Sequence, residues 1–228
     1  MISIAIPAYE MHGVGDAFIE KSLSFISSQT YKDFEVVISD HSLDEKIEKV
    51  CEKFDGLNIK LIKNDKDRGS SSANLNNAIS HCKGDIIKFL MQDEYLYDEN
   101  TLLGIKKSFD DPNVKWVVTG CLYGDNIHAI RGSMVPHYSN RIIDSVNTIG
   151  SPSVVSVRNC EDLELFNVDL IWVMDCEYYK RLFDKWGEPF VIPDHKIFIN
   201  QHKDQLTNLI PSGRKNSEQM YLKNRYSA

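Results

Sequence analysis

Two carboxylates, Asp93 and Glu94, follow an apolar run, Ile86-Ile87-Lys88-Phe89-Leu90. A run of this kind reads as a buried strand, and open α/β sheets hold their ligands just beyond the carboxyl ends of such strands. Hard carboxylate oxygens there suit Mg2+ or Mn2+, which take one or two protein carboxylates and share the rest of their shell with phosphate oxygens. A solvated acidic turn ahead of a helix is the competing use of the same pair. Asp175 and Glu177 open a helical pattern whose apolar face carries Leu182, Phe183 and Trp186. Either carboxylate could take the proton of an acceptor hydroxyl, and either could simply favour the positive end of the helix. His202 lies in a polar stretch, Asn200-Gln201-His202-Lys203-Asp204-Gln205, where a lone histidine is more often surface decoration than a ligand. Tyr9 and Asp40 could stack on and hydrogen-bond to a nucleotide base, or serve as ordinary strand-end residues.

These positions form one neighbourhood only if the elements before them share a sheet. Short apolar runs at 2–6, 34–39, 59–62, 86–90 and 115–119 read as strands. Between them, residues 44–54 place Ile47, Val50, Cys51 and Phe54 on one helical face. Further helices are expected at about 70–81, burying Ala73, Ala78 and Ile79, and after Asn100, burying Leu102, Leu103 and Phe109. Alternation of this kind predicts an α/β fold, a doubly wound and mainly parallel sheet flanked by helices. Pro7-Ala8-Tyr9-Glu10, Asp40-His41 and Gln92-Asp93-Glu94 then meet at the carboxyl edge of the sheet. The second half is less regular. Residues 126–147 are of mixed polarity, followed by segments at 153–157, 166–173 and 190–200 and a helix near 176–186, with no topology readable from them. No repeat or low-complexity linker divides the 228 residues, so one domain over 1–228 is expected.

Composition narrows the function classes. A net charge of −7 argues against nucleic acid, whose binders carry a positive footprint. A nucleoside diphosphate is a smaller anion that one metal ion and a few backbone N–H groups can hold. Five scattered cysteines without a C-x-x-C pair read as reduced cytosolic thiols. The chain begins on Ile2-Ser3-Ile4-Ala5-Ile6-Pro7 without a charged leader, and no later window has the run of about 20 apolar residues needed to span a bilayer. A cytoplasmic protein, at most peripheral at the inner face of a membrane, is the expectation. After the first strand there is no glycine-rich loop, which disfavours a nucleotidyltransferase and a dinucleotide oxidoreductase.

Taken in order, several segments resemble glycosyltransferase family 2, whose inverting members have the GT-A fold. The resemblance is carried by residues 2–10, by Ser27-Ser28-Gln29-Thr30-Tyr31-Lys32-Asp33-Phe34 and the strand to Asp40, by Arg68-Gly69-Ser70-Ser71, and by Lys83-Gly84-Asp85 through Gln92-Asp93-Glu94. It is strong over about residues 1–100, the nucleotide-binding half, and patchier over 101–228, the acceptor-side half. There, Gly150-Ser151-Pro152-Ser153 is similar to a substrate-side loop of short bacterial members, Asp175-Cys176-Glu177 to the start of the helix carrying the base, and Gln201-His202-Lys203-Asp204 to a closing segment whose histidine approaches the metal or diphosphate.

The resemblance implies sugar transfer from a nucleoside-diphosphate donor, most often UDP, to a hydroxyl of a glycan, lipid-linked or protein acceptor, in glycan or surface polysaccharide synthesis. It implies Asp175 as base in preference to Glu177, Asp93 and His202 at a Mn2+ or Mg2+ site with Glu94 beside it, and nucleotide contacts from Pro7, Ala8, Tyr9, Glu10, Asp40, Arg68, Asn76 and Gln92. Two positions depart from the family pattern. Met91 replaces the first acid of the aspartate-any-aspartate motif, and Leu75 stands where many members have an arginine, leaving Arg68 or Asn76 as its substitute. The rival reading is a non-catalytic sugar-nucleotide or glycan-binding module that retains the fold.

Overall fold

The computed structural model describes residues 1–226 of the chain. Strands β1 (Ile2–Ala8) and β2 (Phe34–Asp40) are buried at every position, which is why they read as mainly apolar rather than alternating, and the polar groups they bury are paired, Ser3 with Glu35 and Ser39 with Asn74. β1 pairs in parallel with β2 on one side and with β4 (Ile86–Phe89) on the other, and β3 (Ile59–Lys63) extends the sheet beyond β2, again in parallel. The crossovers carry α1 (Gly15–Ser27), α2 (Lys46–Cys51) and α3 (Ser71–Ser80). α1 buries Ile19, Leu23 and Ile26 at helical spacing. α3 starts where the Ser70 hydroxyl accepts the Ala73 N–H at 3.2 Å, an N-cap that ends the preceding loop.

The second half adds β5 (Glu94–Leu96), α4 (Thr101–Ser108), β6 (Trp116–Gly124), β7 (Ile130–Met134), β8 (Val155–Arg158), α5 (Met174–Trp186), β9 (Phe190–Asn200), α6 (Leu206–Leu209) and α7 (Ser212–Tyr226). Strand order is β3-β2-β1-β4-β8-β6-β9-β5, with β7 on β6. The doubly wound, mainly parallel expectation describes the β3-β2-β1-β4 core. Antiparallel pairings enter with β8, which inserts between β4 and β6, and with β5 and β7. β9 returns parallel to β6, so the sheet stays continuous from one half to the other.

Several boundaries differ from the sequence reading for local reasons. The strand expected at 115–119 runs on to Gly124, because β7 and β9 both pair with its later half. The segment at 153–157 begins as a single 3-10 turn, Pro152–Val154, before β8, since proline suits the first helical position. Residues 166–173 form no strand; Phe166, Leu170 and Val173 are buried through a series of turns. Among the described residues no helix is long and apolar enough to cross a membrane.

Candidate functional site

Beyond the carboxyl ends of β1, β2 and β4 lies a crevice of about 360 Å³, walled by Pro7, Tyr9, His41, Arg68, Asn74 and Asp93 among others. Its rim is a tight turn after β1. Met11, His12 and Gly13 all have positive φ, and the Glu10 carbonyl accepts both Gly13 N–H at 2.8 Å and Gly15 N–H at 2.9 Å. The winding is close enough that a Cβ on Gly15 would lie 2.1 Å from the Tyr9 carbonyl oxygen. The turn presents Tyr9 to Gln92: the Gln92 Oε1 accepts the Tyr9 N–H at 2.6 Å and its Nε2 donates to the Tyr9 carbonyl at 3.0 Å. Gln92 is thus a clamp between strand ends, and it sets the next residue, Asp93, on the crevice wall.

The Asp93 Oδ2 lies 2.8 Å from the His202 Nε2, both side chains being only about 15% exposed. The imidazole stacks on Phe18 with ring centroids 4.8 Å apart, while its Nδ1 is buried without a partner among the described residues. A histidine from the loop after β9 and a carboxylate from the β4–β5 turn, 109 residues apart, therefore meet at one point. Glu94 points away. It is buried, accepts the Ser151 hydroxyl at 2.6 Å, and its carboxyl is pushed up to about 8, first by burial and then by the Asp93 charge. Behind it, Lys88 is fully buried on β4, donates to the Ser153 carbonyl, and is lowered to about 7 by the same loss of solvent.

Not every expected nucleotide contact reaches the crevice. Pro7, Tyr9, Glu10, Arg68 and Gln92 line it. Ala8 contributes its carbonyl, which accepts the His41 N–H at 2.8 Å and the Asn74 amide at 3.0 Å, so it fixes the wall rather than forming it. Asp40 is fully buried with one carboxylate oxygen on the Ser42 N–H and the other on Lys63, each at 2.8 Å; its neighbour His41 occupies the wall. Asn76 faces elsewhere: its amide pairs with both the carbonyl and the N–H of Phe166, at 2.8 and 2.9 Å. The residues of α3 that do line the crevice are Ser71 and Asn74, the latter one helical turn from Ser70. Helix periodicity carried that signal, since Asn74 shares the N-cap's face. Leu75, at the family's arginine position, is buried in the core.

Asp175 and Glu177 separate cleanly. Glu177 is buried in an ion pair with the Arg181 guanidinium, three contacts of 2.9–3.0 Å, and also accepts the Tyr226 hydroxyl at 2.9 Å. Asp175, partly buried in the first turn of α5, accepts the Cys176 N–H and the Asn147 amide, both at 2.7 Å, and burial pushes its carboxyl up to about 6. It lies outside the crevice wall, joined to the β4–β5 turn through residues 147–153. Ser151 falls in the loop Gly150-Ser151-Pro152-Ser153 that carries part of the family resemblance, whereas Asn147 ends the stretch of mixed polarity, where no periodicity marks it.

The family model for glycosyl transferase family 2 matches residues 3–198. The fold is similar to that of the mannosyltransferase PcManGT from Pyrobaculum calidifontis, solved with GDP-Man and Mn2+, at a TM-score of 0.67 and 21% identity over 90% of this chain and 58% of that one. It is also similar to residues 1–349 of S. aureus TarS with UDP-GlcNAc, at a TM-score of 0.70 and 18% identity over 97% of this chain and 64% of that one. The chain thus spans about 60% of the length of these neighbours. No curated protein sequence matches it. With the model covering nearly the whole of the sheet, from β1 into β9, the chain belongs to glycosyl transferase family 2.

Proposed function

We propose that this protein is an inverting, metal-assisted glycosyltransferase that moves a sugar from a nucleoside diphosphate, UDP by preference, to a hydroxyl acceptor. The observation that carries the reading is the meeting of Asp93 and His202 on the wall of the crevice. Among the described residues no group of three or more His, Cys, Asp or Glu is arranged to hold a metal. A carboxylate oxygen with one imidazole nitrogen nonetheless fits Mn2+ or Mg2+ in a phosphate site, where most of the shell comes from the ligand and water. His202 would present Nε2 to the ion once its proton has moved to Nδ1, which is buried without a partner among the described residues. The ion would supply Lewis-acid neutralisation of the leaving diphosphate. GDP-Man with Mn2+ in PcManGT and UDP-GlcNAc in TarS support a nucleotide-sugar donor and a divalent cation here.

The chain's own residues then have distinct tasks. Tyr9, held by Gln92, offers a flat surface to the base, and Arg68 brings positive charge to the same wall. Asp175 takes the acceptor's proton as its oxygen attacks the anomeric carbon from the face opposite the diphosphate, which gives inversion. A carboxyl raised to about 6 is ionised at neutral pH yet basic enough to accept that proton. The acceptor is a glycan, lipid-linked or protein hydroxyl, and the setting is cytoplasmic synthesis of a glycan or surface polysaccharide.

Calorimetry with UDP, with and without Mn2+, tests the reading. The parent should bind UDP only with the cation, and Asp93→Ala should lose that dependence together with most of the affinity. Equal UDP–Mn2+ affinity in both proteins would remove Asp93 from the metal site. Met91 favours a second reading, a binding module, because it puts a thioether on the crevice wall where the motif has its first acid. Slow metal-dependent release of UDP from a UDP-sugar supports the enzyme; UDP binding without release across a donor and acceptor panel supports the module.

A further inference from the structure

Residues 147–153 touch both halves of the reaction centre. At one end the Asn147 Nδ2 donates to Asp175 at 2.7 Å and to the Gly150 carbonyl at 2.9 Å, while its Oδ1 accepts the N–H of Ile149 at 2.9 Å and of Gly150 at 2.8 Å. The Tyr179 hydroxyl, one turn after Asp175 on α5, donates to the same Gly150 carbonyl at 3.1 Å. Gly150 turns at φ 113, a conformation that L side chains rarely adopt. At the other end Ser151 donates to Glu94, Ser153 Oγ accepts the Met91 N–H at 2.8 Å, and Lys88 donates to the Ser153 carbonyl. Every one of these partners on the strand side lies within five residues of Asp93.

We propose that Asn147 is a positioning residue for the base: its amide orients Asp175 and keeps it ionised, while the brace it organises fixes Asp175 relative to Asp93. The inference rests on the reading of Asp175 as the base. Asparagine is well matched to the task, because it combines a two-proton donor for a carboxylate with an acceptor for two loop amides. Aspartate would keep the acceptor half and place a second negative charge against Asp175. Alanine would remove both halves. The other ionisable groups facing Asp175 are the Cys176 thiol and the Tyr179 phenol, both pushed up by burial and neutral near pH 7. Beyond Tyr179 stands Glu94, raised to about 8.

The test is the pH profile of turnover for the parent, Asn147→Asp, Asn147→Ala and Asp175→Asn. Asn147→Asp retains an oxygen for the Ile149 and Gly150 amides, so the loop should fold, and a melting curve checks that it does. Its acid limb should move up by at least about one pH unit, since two adjacent carboxylates cannot both ionise readily. Activity should return at high pH with the KM for the donor unchanged. Asn147→Ala should shift the limb in the same direction, with a lower plateau. Repeating the parent and Asn147→Asp profiles with Glu94→Gln in both should leave the shift in place. An acid limb in folded Asn147→Asp that coincides with the parent's overturns the proposal, and so does a shift that disappears with Glu94→Gln. If Asp175→Asn turns over like the parent, the assignment of the base itself has failed; if Asp175→Asn is inactive while the Asn147 variants keep the parent's limb, only the positioning role has.

Discussion

Replacing Asp175 with Asn should make the protein inactive and more stable in the same stroke. Burial pushes this carboxyl up from 3.8 to about 6 against the donors that favour its charge, the Cys176 N–H and the Asn147 amide. An acid whose folded pKa is raised costs nothing below pH 3.8, where it is protonated in both states. As the pH climbs towards 6 the unfolded chain ionises first and stability falls, and above 6 the full cost persists. A rise from 3.8 to about 6 corresponds to about 3 kcal/mol. Partial exposure reduces that figure, and so does the amide, which can accept only one of the two donors and loses about 1 kcal/mol at the other. Urea unfolding should therefore find Asp175→Asn more stable than the parent by about 1–2 kcal/mol at pH 8 and no more stable at pH 3.5. UDP–Mn2+ binding should persist while transfer is lost. A stability gap that is flat with pH would refute the argument that Asp175 is held partly against its charge.

His202→Ala should raise the Mn2+ concentration needed for half-maximal UDP release and lower the rate at saturation, because Asp93 alone then holds the cation; an unchanged Mn2+ titration would take His202 out of the site. Asn76→Ala should destabilise the fold by about 1–3 kcal/mol in urea, since both backbone groups of Phe166 lose their partner, while UDP affinity measured by calorimetry stays at the parent's value. Glu218→Ala should cost more, about 3–5 kcal/mol, because the buried carboxylate accepts the N–H groups of Ile171, Trp172 and Val173 and pairs with Arg214; unfolding within 1 kcal/mol of the parent would contradict that role.

The parallel core was legible because each of its strands is rich in β-branched and other apolar residues and is bounded by polar turns. β1, β2, β3 and β4 fall within two residues of their expected ends, and so do α3 and α5. Asp93 could be placed for the same reason, since the strand before it is unmistakable. α1 was passed over although Ile19, Leu23 and Ile26 repeat at helical spacing; Gly15 and the polar residues between them diluted the pattern. β5 and the insertion of β8 between β4 and β6 depend on pairings across roughly 40 to 105 residues, which no local periodicity encodes, whereas β7 is a local hairpin partner of β6 whose largely exposed sequence shows no alternation. Which residues reach the crevice was hardest to read where local chemistry is ambiguous. The residue types of Asn74 and Asn76 do not say which amide faces the crevice and which the Phe166 backbone; only the helix angle counted from the Ser70 N-cap does. Resemblance alone favoured Asp175 over Glu177, because the ion pair that holds Glu177 to Arg181 depends on the helix and is not marked by residue type.

The carboxylate of Glu218 belongs to α7, yet the amides it gathers are those leading into α5, some 45 residues earlier. On a ribosome the consequence is an order of assembly. The β1–β4 core, with most of the crevice wall, is complete long before α7 has been made, and chains fold from the N-terminus as they emerge. The start of α5 must wait with its amide hydrogens unpaired until α7 arrives. A nascent chain would thus complete most of the crevice wall first and settle Asp175, in the first turn of α5, last.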